Sequence, residues 1–433
     1  MSARRGGGGA RIVRLAAISA VVKGPGFLIP LIIAAFFGAG HVTDAYFLAY
    51  GGVLLVGGTV GQPLEAVVVP FAAHALVLGR RSAARFMRQL STQGLVIGLV
   101  AGLVGALLIG VGMRFSKPSG VDPGTVFRFY ALLAPAAVAW CIAGLYSGSL
   151  VSGWHLEIGA IGYGFRGAGA LVGAVAGVLV HQLWPVAVGV SLGEWGRVLW
   201  LRGHWRRAIA GLAEGTTGTP ERGLLAAAGH QMGAQGLLSG AQFVERFLVG
   251  TVAVAAISRV EYANRLIMVA SVLFDGGVAP WLLAHWSNVR VRDTLRADWA
   301  TVYRPIAFAA LAAVSVAAVI AVGAPLMVRV VLHHGAFTGE DAAAVSQVLR
   351  WYAAGYFFNM VALCVERLLL ARVQNRLFLI LSAVRAGTRI ATILFLLPTV
   401  GIIALPVGYL VSEALYASAL LLSSRVMPEA RVA

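Results

Sequence analysis

The chain has 433 residues, of which 59% are hydrophobic and only 12% charged, and its mean hydropathy is +0.84. This balance excludes a soluble globular domain and a disordered chain, because both carry more charge and less apolar surface. The formal net charge of +17 would indicate nucleic acid as a partner in a soluble protein. Here the basic residues lie in the connections between apolar segments, so no nucleic-acid partner is expected.

Apolar runs long enough to cross a bilayer recur along the whole chain. A helix needs about 20 residues to cross a hydrocarbon core of about 30 Å, and helices satisfy their own backbone polar groups in lipid. The sequence therefore predicts an all-α polytopic membrane protein with about twelve transmembrane helices. The predicted spans lie near residues 12–37, 42–74, 91–113, 126–152, 157–181, 184–201, 224–257, 262–286, 304–332, 342–370, 377–398 and 401–424.

Arginine clusters precede the first predicted span and follow the second, sixth, eighth, tenth and twelfth, whereas the alternate connections carry few basic residues. The clusters lie within residues 4–14, 80–88, 202–222, 290–296, 372–376 and 425–431. Connections rich in lysine and arginine stay on the cytoplasmic side. We therefore expect a multi-pass protein of the cytoplasmic (inner) membrane with both termini in the cytoplasm.

The two halves of the chain resemble each other. Arg128 to Ala131 reads Arg-Phe-Tyr-Ala and Arg350 to Ala353 reads Arg-Trp-Tyr-Ala, and other echoes recur at offsets of about 210 to 222 residues. An even number of spans in each half gives repeats of the same orientation with a binding site at their interface. The prediction is an N-terminal six-helix lobe (1–210), a cytoplasmic linker (211–223) and a C-terminal six-helix lobe (224–433) around a central cavity.

The first two spans carry Lys23, Asp44 and Glu65 inside apolar sequence. A charge in the membrane normally faces protein or a water-filled cavity. Glycines at 57–58 and 61, followed by Pro63, interrupt the second span, which is typical of helices that line a cavity. These charges are therefore predicted to line a translocation cavity. The alternatives are a structural carboxylate partner for Lys23 and helix capping by Asp44.

Further polar residues lie within the later spans. Five of them follow one another at a spacing of three or four on one helix, with Glu245 beside the last: Gln231, Gln235, Ser239, Gln242 and Arg246. Such a stripe faces water or substrate more often than lipid, although a structural Glu245–Arg246 pair is the alternative. Arg265, Arg385 and Arg389 add cations, and more bases than acids in the walls favour an anionic ligand.

Motifs for catalysis are missing from the sequence. Gly162, Gly164 and Gly167 match a dinucleotide-binding glycine pattern, but no strand precedes them and the segment is a predicted membrane helix. There is no phosphate-binding loop, zinc-protease motif or metal-spaced cysteine and histidine cluster, and the two cysteines lie far apart. We therefore expect no enzyme activity, no cofactor and no metal site.

An ordered series of motifs resembles the MurJ/MviN lipid II flippases of the multidrug/oligosaccharidyl-lipid/polysaccharide exporter (MOP) superfamily. Lys23 stands 21 residues before Asp44, and the segment 37–47 reads Phe-Gly-Ala-Gly-His-Val-Thr-Asp-Ala-Tyr-Phe. The series continues through both halves with Val-Glu-Arg at 244–246, Tyr-Ala-Asn-Arg-Leu at 262–266, His-Gly-Ala-Phe at 334–337, Leu-Ala-Arg at 370–372 and Val-Gly-Ile-Ile-Ala-Leu at 400–405.

The resemblance implies a two-lobe transporter that flips a polyprenyl-diphosphate-linked saccharide, a lipid II-like peptidoglycan precursor, by alternating access. It also implies that Lys23, Asp44 and Arg265 occupy positions of the family's cavity residues. The expected partners are an anionic lipid-linked substrate, membrane lipids and enzymes of cell-wall or glycan synthesis, and the expected oligomeric state is a monomer. Two alternatives stay open: a cation-coupled exporter of an amphipathic small molecule or natural product, and a transport-inactive scaffold with this fold.

Overall fold

The computed structural model describes residues 8–152, 155–215, 224–273, 282, 286, 303–371 and 375–426, and within them the secondary structure is helical. The helices are α1 (Gly8–Phe37), α2 (His41–Val56), α3 (Gln62–Val77), α4 (Arg80–Ser116), α5 (Pro123–Ser152), α6 (Leu156–Val180), α7 (Trp184–Ala210), α8 (Leu224–Gly250), α9 (Ala256–Leu273), α10 (Arg304–Val331), α11 (Gly339–Ala371), α12 (Asn375–Val400) and α13 (Ala404–Val426).

The predicted all-α membrane fold is confirmed. Seven stretches of the described residues are long and apolar enough to cross a membrane: His41–Val77, Arg80–Ser116, Pro123–Ser152, Glu157–Val180, Arg304–Val331, Gly339–Leu368 and Leu377–Ser423. The last stretch contains both α12 and α13, which a short 3-10 turn at Gly401–Ile403 joins. The total of about twelve spans stays a prediction.

The glycine-rich interruption predicted in the second span is a turn of π-helix. Gly57–Gly61 forms this turn and joins α2 to α3, with Pro63 in the first turn of α3. Proline has no N–H to donate, and a π-turn is a place where the helical hydrogen-bond pattern changes register. Gly57 and Gly61 lie against the Trp140 ring of α5, and a side chain at Gly57 would overlap that ring. The predicted break is therefore a widened turn within one continuous span.

The described residues group into two compact units, residues 21–257 and residues 1–20 with 258–433. We call them unit A and unit B. In unit A, α5 packs against α2, α3, α4 and α7, and α8 packs against α2 and α3. In unit B, α11 packs against α10 and α13, and α12 packs against α13. The predicted lobes and the linker at 211–223, of which residues 216–223 lie outside the described part, stay a prediction.

Helix α4 illustrates how the sequence sets packing in unit A. Glycines line its buried face at Gly94, Gly98, Gly102 and Gly105, while Leu99, Leu103 and Leu107 on the other face are more than half exposed. Small residues let neighbouring helices approach closely, and exposed leucines suit a lipid environment. α4 begins after Gly79, whose φ of 104° suits only glycine.

Candidate functional site

A network of polar side chains surrounds Glu65 in unit A. Glu65 lies in the first turn of α3. Its Oε1 accepts a hydrogen bond of 2.7 Å from Ser147 Oγ on α5, and its Oε2 accepts one of 2.6 Å from Tyr163 OH on α6. Arg197 Nη2 on α7 lies 3.7 Å from Oε2. One carboxylate therefore connects four helices.

The same network contains a second carboxylate with two guanidinium groups. Arg166 Nε donates to Glu194 Oε1, and Arg197 Nη1 lies 3.6 Å from Glu194 Oε2. The side chains of Glu194 and Arg197 are fully buried. Each guanidinium also stacks on an aromatic ring, Arg166 on Trp140 and Arg197 on Tyr163, both at 3.7 Å from the ring centroid. Two arginines and two glutamates balance in charge, as buried charges require.

Unit B contains a comparable network on α11, α12 and α13. Arg385 Nε and Nη2 both donate to Glu413 Oε1, at 2.8 and 2.6 Å. Asn359 Nδ2 donates to Glu413 Oε2 at 3.2 Å, and Arg385 Nη1 lies 3.5 Å from Glu366 Oε1. The Glu413 side chain is fully buried, and Arg385 also stacks on Tyr416 at 4.7 Å.

The two networks occupy equivalent positions of the internal repeat. Arg166 and Glu194 are 28 residues apart, and so are Arg385 and Glu413. Six residues of the first network correspond to these residues at the same offset of 219 positions: Trp140 and Asn359, Ser147 and Glu366, Tyr163 and Ser382, Arg166 and Arg385, Glu194 and Glu413, Arg197 and Tyr416. Glu65 corresponds to Ala284, which lies outside the described residues. The arginine–glutamate pair recurs in both units, whereas the residues around it differ.

Two of the predicted cavity residues lie near the start of unit A. Lys23 is on α1, and its side chain lies outside the described part of the chain. Asp44 is fully buried in α2. The alternative in which Asp44 caps this helix is wrong, because Gly40 is the N-cap residue. Thr43 closes the cap: its Oγ1 accepts from Gly40 N at 2.8 Å and donates to Gly40 O at 2.9 Å. Glycine and the threonine hydroxyl satisfy the helix start, leaving Asp44 inside the first turn.

The predicted polar stripe lies on α8 and meets α2 and the π-turn. Arg246 is buried, and a Cβ added at Gly51 would lie 2.6 Å from its Cδ. A Cβ added at Gly58 would lie 2.5 Å from Ser239 Oγ. Glycines of the second span thus make room for polar side chains of α8. Gln235 is half-buried, Gln242 is exposed and Glu245 is buried.

Three predicted cations belong to unit B. Arg265 lies on α9 with its Nε 3.9 Å from Glu261 Oε2 one turn earlier. Arg385 is held by two carboxylates, as described above. Arg389 lies one turn further along α12 and stacks on Tyr409 at 5.0 Å. Arg385 is thus part of a charge-paired network, which its sequence position alone did not indicate.

Sequence reasoning missed the second carboxylate and both arginines of unit A. Arg166, Glu194 and Arg197 are charged residues within predicted apolar spans, and this alone marks them as candidates. The stronger signal is the repeated spacing of 28 residues between arginine and glutamate at an offset of 219, which falls within the offsets seen in the other repeated motifs.

The described helices, with paired charges held between apolar faces, define a polytopic membrane protein. The sequence then gives the family. A model described as "Lipid II flippase MurJ" matches residues 167–428, which is more than half of the chain. The chain therefore belongs to the MurJ lipid II flippase family, and a membrane flippase or transporter function follows. No curated protein sequence matches the chain.

Solved structures support the same fold. The lipid II flippase MurJ in an inward closed conformation is similar with a TM-score of 0.80 at 16% identity, covering 96% of this chain and 88% of that one. An inward-facing multidrug resistance MATE transporter of the MOP superfamily has a TM-score of 0.74 at 12% identity, covering 95% and 97%. A MOP superfamily transporter from Pyrococcus furiosus, described as having a binding pocket of reverse polarity, has a TM-score of 0.70 at 14% identity, covering 96% and 94%.

Proposed function

We propose that the protein moves a polyprenyl-diphosphate-linked saccharide, of the lipid II kind, across the cytoplasmic membrane by alternating access. The observation that carries this proposal is the match of the lipid II flippase family model to residues 167–428. Basic residues inside the spans add a physical reason, because an anionic head group crossing the membrane needs cations along its path. On this proposal the enzymes that build the lipid-linked saccharide are the protein's partners.

The proposed head-group cations are Lys23 on α1 and Arg265 on α9. Both lie within predicted spans, and both occupy positions that resemble the family's cavity residues. A diphosphate can be held by either an ammonium or a guanidinium group, although only the guanidinium binds it in a two-pronged geometry. Asp44, Gln235, Gln242, Glu245, Arg246 and Arg389 are proposed as further cavity residues. For Arg385 we propose a supporting role, since two carboxylates already hold it.

Reconstitution tests the substrate directly. Liposomes that contain the purified protein and fluorescent lipid II are exposed to an impermeant quencher, and the rate at which inner-leaflet lipid becomes accessible is measured. Lys23→Ala and Arg265→Ala should lose at least ten-fold in rate, corresponding to about 1.4 kcal/mol of lost interaction with the head group. Lys23→Arg should keep part of the rate. Arg88→Ala, at an exposed position on α4, is the control and should flip as the natural protein does.

The same vesicles separate the alternatives. A full rate in Lys23→Ala would place the head group elsewhere. Vesicles that leave lipid II in place but expel an amphipathic cation along an ion gradient would indicate the exporter, and vesicles that move neither would indicate the scaffold. Protein that folds and binds lipid II without moving it would also contradict the proposal.

A further inference from the structure

We infer that an apolar cleft between α9 and α10 holds part of the isoprenoid chain of the lipid whose head group Arg265 binds. The inference rests on the proposed function, which supplies a lipid with a diphosphate head and an isoprenoid chain but leaves the place of the chain open. Four features of unit B support it: the lining of the cleft, its opening to lipid, the position of Arg265 and the contrast with unit A.

The cleft has a volume of about 330 Å³. This volume is at the lower end of the range of about 300–1,000 Å³ that ligand sites have. Its lining includes Leu266, Val269 and Ala270 of α9 with Ser315, Val319 and Met327 of α10. Ser315 is the polar residue of the lining, and its hydroxyl donates to the Leu311 carbonyl oxygen at 2.9 Å. The cleft therefore suits a hydrocarbon chain, and from Ser315 to Met327 it extends about 18 Å along α10.

The cleft opens on the face of α10 that lies in lipid. Val319 lines the cleft and is 69% exposed, and Leu311, Val322 and Leu326 are exposed at helical spacing on the same side. α10 is long and apolar enough to cross a membrane, and an exposed apolar face of such a helix contacts lipid. A hydrocarbon chain can thus enter the cleft sideways from the bilayer.

Arg265 lies on the cleft side of α9 and deep in the membrane. It is four residues before Val269, and residues four apart share a face of a helix. Near the start of α9 at Ala256, Arg259 pairs with Glu340, whose side chain is 82% exposed and marks the membrane surface. Arg265 is about 14 Å along the helix from this start, near the middle of a hydrocarbon core of about 30 Å. Resident lipids keep their phosphates at the surface, so a phosphate at this depth belongs to a lipid that is crossing.

The two helices run in opposite directions along the cleft. Arg259 Nε, near the start of α9, donates to Asp341 Oδ1 at 2.8 Å, and Asp341 follows the end of α10 by ten residues. The start of α9 is therefore beside the end of α10. Met327 accordingly lies at the Arg265 end of the cleft, and Ser315 lies at the far end. A chain whose head is at Arg265 must then run toward Ser315.

In unit A the corresponding helices are packed together. α2 and α4 precede α5 in the order in which α9 and α10 precede α11, and α2 packs against α4. A Cβ added at Gly52 of α2 would lie 2.9 Å from Cδ1 of Ile109 on α4. α9 and α10, by contrast, do not pack closely on each other over their described lengths. The space for a chain is thus a feature of unit B.

Photolabelling of the purified full-length protein tests the place of the chain. The probe is farnesyl diphosphate with a photoreactive diazirine at the end of its chain, and fragment mass spectra locate the adducts. We expect adducts near Ala270 and Ser315, at the far end of the cleft. An excess of lipid II should compete for this labelling, whereas an excess of phosphatidylglycerol should not.

Three results would overturn the inference. Adducts near Met327 would reverse the direction of the chain and contradict a head group at Arg265. Adducts outside the cleft would place the chain elsewhere. Competition by phosphatidylglycerol as strong as that by lipid II would show that the cleft holds the acyl chains of ordinary lipids.

A matched pair of variants blocks the cleft. Val319→Trp fills it, and Val322→Trp places the same side chain at a position that is 83% exposed and outside the lining. Labelling should fall about ten-fold in Val319→Trp, which is about 1.4 kcal/mol of lost binding, and stay unchanged in Val322→Trp. Equal labelling in both variants would overturn the inference. If Val319→Trp fails to fold, the positions of the adducts in the natural protein decide.

The liposome assay separates this inference from the proposed function. Flipping of lipid II at the full rate in folded Val319→Trp, together with no adducts in the cleft, would overturn the chain site and leave the proposed function in place. Cleft adducts that lipid II displaces, in a protein that does not flip lipid II, would leave the chain site in place and contradict the proposed function.

Discussion

The networks of units A and B contain the same buried arginine–glutamate pair in two different settings. In unit A, Glu194 has two guanidinium neighbours, Arg166 and Arg197. In unit B, one guanidinium, that of Arg385, serves two carboxylates. The repeat thus supplies a common ion pair between consecutive helices, and the surrounding residues decide how many partners each charge has. The cost of losing one partner should differ accordingly.

The largest expected effect is an all-or-none difference in the labelling of introduced cysteines, which tests whether the two units have the same orientation in the membrane. α4 of unit A has 37 residues, and at 1.5 Å per residue its ends are about 55 Å apart, more than a hydrocarbon core of about 30 Å. An impermeant thiol reagent added to intact cells should label Lys117→Cys but not Ala84→Cys. If the units are parallel repeats, Ala336→Cys after α10 should be labelled together with Lys117→Cys.

The chain offers its own controls for this labelling. Cys141 and Cys364 are buried and should stay unlabelled until the protein unfolds. Ala84, Lys117 and Ala336 are exposed, so permeabilised cells should label all three introduced cysteines. Labelling of Ala84→Cys and Lys117→Cys from the same side would refute a membrane-crossing α4. Labelling of Ala336→Cys only after permeabilisation would refute the parallel repeat and the predicted topology.

The second prediction compares the two arginines. Arg385→Ala leaves the fully buried Glu413 and the partly buried Glu366 without their shared cation, and breaking a buried pair in this way costs about 3–5 kcal/mol of unfolding free energy. Arg166→Ala should cost less, because Arg197 Nη1 remains 3.6 Å from Glu194. Denaturant unfolding in detergent, followed by tryptophan fluorescence, measures both.

A double variant separates lost charge pairing from lost packing. Arg385→Leu combined with Glu413→Leu should recover part of the loss seen in Arg385→Ala, because no central carboxylate is then left without a partner. If Arg166→Ala lowers the unfolding free energy as much as Arg385→Ala does, Arg197 does not compensate for the loss of Arg166. The proposed difference between the networks would then be wrong.

The third prediction compares the helix contacts that support each pair. In unit A, a Cβ added at Gly169 of α6 would overlap the backbone of α7 at Gly189 and Gly193. In unit B, a Cβ added at Gly408 of α13 would lie 2.6 Å from Cγ1 of the Ile393 side chain and 3.1 Å from the backbone oxygen of Arg389, so its nearest contact is a side chain and the backbone lies farther away. Gly169→Ala should therefore cost about 1–3 kcal/mol, as overpacking does, and Gly408→Ala less.

The same unfolding assay measures this pair of variants. Gly203→Ala, near the end of α7, is the control, since a Cβ there meets nothing within 4 Å. It should be neutral or slightly stabilising because alanine favours the helix. A larger loss in Gly408→Ala than in Gly169→Ala would contradict the closer packing of α6 and α7.

Hydropathy predicted the positions of the helix interiors well and the helix ends poorly, because distant parts of the chain contribute to where a helix ends. A span was predicted over 224–257, but α8 ends at Gly250. Gly250 O accepts a hydrogen bond of 2.7 Å from Ser119 N, in the connection between α4 and α5. Likewise α4 begins at Arg80, eleven residues before the predicted span. Arg80 N donates to Ala213 O. Partners more than 130 residues away along the chain define both ends, and no local pattern contains them.

The candidate site was predictable in kind more than in detail. Charges within apolar sequence marked Glu65, Arg385 and Arg389 as candidates, because a membrane charge needs a special environment. Sequence could not give their partners, since Ser147 and Tyr163 are ordinary residues for a membrane helix until the fold brings them to Glu65. It could, however, have given the pairs Arg166–Glu194 and Arg385–Glu413 through their repeated spacing.

The smallest expected effect concerns two aspartates at helix starts: Asp122 lies just before α5, and Asp341 lies in the first turn of α11. They are also 219 positions apart. Asp122 Oδ2 accepts from Thr125 N at 2.7 Å and from Thr125 Oγ1 at 2.8 Å. The Thr125 hydroxyl and then its N–H hold the pKa of Asp122 below the ordinary value of 3.8. Asp341 Oδ2 likewise accepts from Thr338 N, but Asp341 Oδ1 also accepts from Arg259 Nε at 2.8 Å. Both carboxylates therefore stabilise a helix start, and only Asp341 has a charged partner as well.

Asp122→Ala should lower the unfolding free energy only slightly, because the site is exposed, and Asp341→Ala should lower it more. A carboxyl group whose pKa is lowered by folding contributes its stability above its ordinary pKa and loses it as the pH falls through the lowered value. The difference between the natural protein and Asp122→Ala should therefore be constant at neutral pH and shrink when the pH falls below about 3.8. Chemical unfolding at a series of pH values measures it, with Asp122→Asn as the control that keeps an oxygen acceptor but removes the titration. A difference that grows on acidification would contradict the capping role, and a loss in Asp122→Ala equal to that in Asp341→Ala would mean that Arg259 adds nothing to the cap of unit B.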